Sequence, residues 1–170
     1  MSRSVLAAVL LLAAAPAAAE PATLLGAFTN WSAYQTGEGD SLTCYALSTP
    51  RAMQPRAAKR DPIYVIVSDW PGRKIKAEPQ IVFGYQAKEG TPASLAVGAE
   101  KFIFFTRNEA KAGKAWLQSL NESERLITAM KDGVSAVAMG TSQRGTKTVD
   151  TYSLAGFSDA LAKIHDACKM

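Results

Sequence analysis

Apolar residues in this chain recur mainly at alternate positions, in short runs broken by glycine, proline and polar residues. That is the period of half-buried strands. Residues 24–34, with Trp31 and Tyr34 among small and polar neighbours, predict a first strand. Gly37, Gly39 and Asp40 permit a tight turn over 35–41, and 42–47 predict a second strand containing Cys44. The β-branched run 63–67 is apolar on both faces, so it needs cover on both, from the core and from a helix or loop. Trp70, Pro71 and Gly72 end it, and a further strand is expected over 80–85. Residues 88–92 read as a turn, and 94–97 and 101–106 as a hairpin around Gly98, Ala99 and Glu100. Phe102, Ile103, Phe104 and Phe105 predict a centre of the core. A polar turn over 108–113 precedes a short strand at 114–118 with Trp116.

The period then changes. Leu126, Ile127 and Met130 fall on one face of a helix over 120–131, with Asn121 or Ser123 available as caps and Asp132 and Gly133 as its stop. Strands over 134–141 and 146–154 form a hairpin across the turn 143–145. A closing helix starts near Gly156, with Ser153 or Ser158 as candidate caps. Phe157, Leu161, Ile164 and Cys168 lie on one stripe of it, so Cys168 points at the body of the protein. Roughly eight or nine short strands and two helices predict a mostly β fold. The expected form is an antiparallel β-sandwich or flattened barrel with a clamped C-terminal helix and one further short helix; the alternative is a compact α+β sheet.

The N-terminus changes the picture of where this fold works. Arg3, the apolar run 5–15, Pro16 and the small residues Ala17, Ala18 and Ala19 read as a signal peptide cleaved after Ala19. Residues 20–170 then form a single domain, periplasmic or secreted, with no later stretch apolar enough to span a bilayer. In an oxidising compartment two cysteines predict one disulfide, Cys44–Cys168. It would close a loop of about 125 residues, for which the loop-entropy model gives roughly 4–5 kcal/mol. The formal charge of +4 is too small to argue for nucleic acid, and it does not oppose an anionic cell surface.

The stretch RGTKTVDTYSLAGFSDALAKIHDAC at 144–168, with AMKDG at 129–133, resembles the C-terminal signature of the invasion-associated locus B (IalB) family, small exported proteins of alphaproteobacteria. Trp31 ahead of the Cys44 strand, STP at 48–50, RDP at 60–62 and VFGY at 82–85 extend the resemblance over nearly the whole chain beyond the leader. The resemblance implies a β-rich envelope or secreted domain associated with host-cell invasion. It brings no catalytic residues with it.

Candidate chemistry is sparse. His165 is the one histidine, and with both cysteines paired there is no set for zinc, haem or thiol catalysis, no CxxC pair, no P-loop and no GxGxxG. No cofactor is expected. Asp61, Asp69 and Asp150 sit in or beside strands, and Asp150 is expected to find a bland partner in a basic side chain such as Arg144 or in the turn N–H groups. Two basic stretches offer a partner-binding surface: Arg51, Arg56, Lys59 and Arg60 in an exposed loop over 48–61, and Arg73, Lys74 and Lys76 ahead of the strand at 80–85. The sequence thus predicts a non-enzymatic binding module for an envelope or host-surface component. A carboxylate-dependent envelope enzyme and a purely structural or stress protein are the alternatives.

Overall fold

The computed structural model describes residues 21–109 and 112–170; the segment expected to be a signal peptide, with its expected cleavage after Ala19, lies outside them. The mostly β, antiparallel class with a disulfide-clamped C-terminal helix holds. Its form is one open sheet of eleven strands with two helices. In chain order the strands are β1 (Thr23–Phe28), β2 (Trp31–Thr36), β3 (Thr43–Ser48), β4 (Ala52–Gln54), β5 (Tyr64–Trp70), β6 (Ile75–Val82), β7 (Ala93–Val97), β8 (Glu100–Glu109), β9 (Ala112–Trp116), β10 (Ser135–Thr141) and β11 (Lys147–Ser153). The helices are α1 (Leu120–Asp132) and α2 (Phe157–Cys168). Across the sheet the order is β1-β2-β3-β5-β6-β9-β8-β7-β10-β11-β4. The long strand β8 serves both halves: residues 100–104 pair with β7 and 105–109 with β9.

Two strands exceed the expectation. The stretch 24–34 is not one strand, because Thr29 turns left-handed (φ 51°) and splits it into the hairpin β1–β2. Within the expected loop 48–61, β4 adds to the edge of β11, where backbone pairing needs no apolar side chains and so leaves no period to read. The helix caps also differ from expectation. Ser119 and Gly156 occupy the N-cap positions, neither with a side-chain cap bond. Gly156 is required: its φ is 88°, and a Cβ there would collide with the Phe28 carbonyl oxygen.

Both helices cover the same face. α2 packs on β1, β2, β3 and β5, and α1 on β6, β7 and β8. The inward positions are Trp31, Ala33, Cys44, Ala46, Val65, Val67, Ile81, Leu95, Phe102, Phe104, Ala136 and Ala138, all buried. Onto them α2 lays Phe157, Leu161, Ile164 and Cys168, and α1 lays Leu126 and Met130. The small residues Ala33 and Ala46 are cross-strand partners and let the helix approach. Phe102 and Phe104 belong to this core as expected, but Ile103 and Phe105 do not. Alternation sends them to the opposite face, where they are 51% and 36% exposed.

Cys44 and Cys168 are bonded, across a sequence separation of 124. Next to Cys44 across the β3–β5 ladder lies Asp69, fully buried. One Asp69 oxygen accepts the Ala77 N–H (2.8 Å), at a β6 bulge where Ala77 is left-handed (φ 53°). The other is 2.6 Å from His165 Nδ1 on α2. The single histidine is therefore Asp69's partner, and its bond sits one helical turn before the disulfide.

The disulfide anchors α2 to β3, and the His165–Asp69 contact anchors it to the neighbouring β5. Cys44→Ser/Cys168→Ser is expected to fold and to lose up to about 4–5 kcal/mol. Urea unfolding of the oxidised parent, the reduced parent and the double variant checks it: the last two should coincide.

Candidate functional site

Thr148, Asp150 and Tyr152 are successive inward positions of β11, and all three are buried. A carboxylate there must be paired or neutral. Its partner is a basic side chain, as expected, but Arg60 and not Arg144. The Arg60 guanidinium grips Asp150 with two bonds, of 2.9 and 2.5 Å. The Arg60 side chain is 4% exposed and that of Asp150 0%. This hydrogen bonding to Asp150 raises the Arg60 pKa, opposed by burial. Arg60 therefore does not belong to the exposed basic loop; it fastens that loop to the sheet. A bidentate, fully desolvated pair fixes geometry more than it adds net stability.

Tyr85 completes the floor. Its ring takes the Arg60 guanidinium at 5.9 Å and stacks on Phe83 at 5.4 Å, while its hydroxyl bonds Thr148 Oγ1 at 2.7 Å. Burial pushes the Tyr85 pKa up, with the Thr148 bond acting against it. Gly140 lies against this floor, where a Cβ would come within 2.6 Å of the Tyr85 hydroxyl. Deeper in, Tyr152 has its pKa raised well above the usual tyrosine range, by burial first and then by the Asp150 charge. Its hydroxyl has no protein partner among the described residues.

Over this floor opens a cleft of about 680 Å³. One wall is the loop 55–60 and the other is the β10–β11 turn, 142–146, with Gln86 between them. The turn is held rigidly. Gly145 N–H donates to Ser142 O (2.8 Å), Thr146 N–H to Ser142 Oγ (3.1 Å) and Gln143 N–H to Gln86 O (2.8 Å). Gly145 takes the left-handed conformation at its tip (φ 85°). Lys59 and Arg144 thus face one cavity from opposite walls, and neither has a carboxylate partner among the described residues. The lining contains cations, hydroxyls and amides, and no carboxylate.

The other expected surface residues scatter. Arg51 donates its backbone N–H to Thr151 O and reaches Asn30 Oδ1 at 3.4 Å, and Arg56 is exposed outside the cleft lining. Arg73, Lys74 and Lys76 lie at the far end of β5 from the loop 55–60, so the two basic stretches do not form one surface. The second does not lie wholly ahead of its strand, since β6 starts at Ile75, not at residue 80, and includes Lys76. Arg73 lies over the Trp70 ring at 5.4 Å, and Lys74 caps a short 3-10 turn left-handed. Tyr85, Gln86, Ser142, Thr146 and Thr148 are the residues that sequence reasoning did not assign to a site. The readable signal was Asp150, a charge on the buried face of a strand.

Among the described residues no group of acidic, histidine or cysteine side chains is arranged to hold a metal ion, and no helix is long and apolar enough to cross a membrane. No family model, curated protein or solved structure matches the chain.

Removing one partner of the buried pair leaves an uncompensated charge. Asp150→Asn and Arg60→Ala are each expected to cost about 3–5 kcal/mol, and Arg60→Met/Asp150→Leu less than either, as measured by urea unfolding in a double-mutant cycle. Tyr152 behaves differently. Because its folded pKa lies above the unfolded value of 10.0, its contribution is intact below that pH and is lost as pH rises past it. Tyr152→Phe should therefore leave the melting temperature at pH 7 no lower than the parent's and flatten the decline of stability at alkaline pH.

Proposed function

We propose that this protein is an exported binding module of the cell envelope with no reaction of its own, and that its ligand places an anionic group between Lys59 and Arg144. The observation that carries the reading is the convergence of these two cations, each without a carboxylate partner, on a cleft whose floor is held by Arg60–Asp150 and Tyr85–Thr148. A fixed floor lowers the ordering cost of binding, and hydroxyls and amides around two cations suit a carboxylate, sulfate or phosphate borne on a polar, sugar-like carrier. Volume agrees, since the cleft is in the range of small-molecule sites. The leader sequence and the disulfide support a periplasmic or secreted setting. The resemblance to the invasion-associated locus B family supports an envelope or host-surface component as the carrier. For a carboxylate-dependent enzyme this cleft has no acid–base pair in its lining, so the binding reading is preferred.

Sulfate and glucuronate are suitable probes, followed by amide chemical-shift changes in the oxidised protein. Shifts are expected at Gln86, Arg144 and Thr146. Lys59→Glu/Arg144→Glu should weaken binding at least about tenfold with an unchanged melting temperature. The reading fails if Arg51→Glu/Arg56→Glu, which alters the same net charge outside the cleft, weakens binding as much, or if neither probe shifts the cleft residues.

A further inference from the structure

Both helices lie on one face, and among the described residues no helix covers the other. Register assembles an apolar strip on that face, across its second half, broken only by the buried Ser94. Val149, Met139, Ser94 and Ile103 are successive cross-strand partners over β11, β10, β7 and β8. Phe105 follows Ile103 on the same face of β8 and pairs with Trp116 of β9, the rings stacked at 5.7 Å. Ile103 is 51% exposed, Met139 40% and Phe105 36%. Contiguous exposed apolar surface of this kind marks an interaction site.

The strip has a charged border. Lys101 and Lys147 lie at opposite ends of the shallow groove of about 270 Å³ that Ile103, Met139 and Val149 line. On the remaining side Arg107 and Lys114 are directly opposite each other across β8 and β9. Like charges in that register repel, and Arg107 has no carboxylate partner among the described residues. Glu109 on this face is held by Lys114 at 2.8 Å, and Glu89 lines a small pocket with Arg107 without an ion pair to it.

We infer that this face docks the protein peripherally on an anionic lipid surface. The Ile103–Phe105–Trp116–Met139 strip enters the headgroup boundary, while Lys101, Arg107, Lys114 and Lys147 meet lipid phosphates around it. Layering decides for a lipid surface: an apolar centre enclosed by cations fits a partner whose charge lies above its hydrocarbon. A ring such as Trp116 is favoured at that depth. A second copy of this chain fits poorly, because a two-fold contact through the strip would set these cations against one another. The proposal is independent of the Lys59–Arg144 cleft.

The test is co-sedimentation of the exported protein, purified oxidised and freed of its leader, with phosphatidylcholine vesicles with and without phosphatidylglycerol. Partition onto the anionic vesicles is expected, along with quenching of its fluorescence by brominated acyl chains that Trp116→Phe abolishes. Ile103→Gln/Phe105→Gln, which changes no charge, and Lys101→Gln/Lys147→Gln should each reduce partition at least about tenfold. Lys59→Gln/Arg144→Gln should reduce it less than either. Circular dichroism melts confirm that each variant is folded. The proposal is overturned if the protein ignores anionic vesicles, or if the apolar variant partitions like the parent. It is also overturned if sedimentation velocity reveals a self-association that the Ile103/Phe105 change dissolves.

Discussion

An antiparallel sheet has two faces, and the described residues form two α-helices to cover them. Both go to the same face. α2 lies over β1, β2, β3 and β5, and α1 over β6, β7 and β8. Nearly everything else follows from that allocation. The covered face must be apolar or fully paired, which is why it alternates Trp31, Ala33, Cys44, Ala46, Val65 and Val67 inward. The open face carries half-buried rings and long charged side chains, whose apolar portions shield the backbone while their heads remain in water. It is the face on which the Phe105–Trp116 stack and its cations stand.

Polar groups that end up on the covered face become fasteners. Asp69 and Asp150 are both fully buried, and each holds a segment distant in sequence. Asp69 takes the Ala77 N–H and meets His165, so it joins β5, the β6 bulge and α2 close to the disulfide. Asp150 takes Arg60 and so pins the segment after β4 against β11. In low dielectric a carboxylate cannot remain charged alone, so each such residue specifies one arrangement of its neighbours. The cleft is a consequence of the second fastener. With Arg60 spent on Asp150, the loop is fixed beside the β10–β11 turn, and the adjacent Lys59 is left facing Arg144.

The sequence by itself determined what depends on local period and compartment. Alternation set most of the strands, and the change to a helical period set α1 and the Phe157–Leu161–Ile164–Cys168 stripe. With only two cysteines, Cys44–Cys168 was the one intrachain pairing available. The tertiary structure decided what depends on distant partners. An arginine in a polar loop reads the same whether it faces solvent or a buried aspartate 90 residues away, so the role of Arg60 was illegible. Edge strand β4 was hidden because its hydrogen bonds are all backbone, and the fate of Ile103 and Phe105 because an unbroken apolar run does not say which face is covered. The convergence of Lys59 with Arg144, 85 positions apart, exists only once Arg60 has closed on Asp150. Period is a property of neighbours along the chain; a site is a property of neighbours in space.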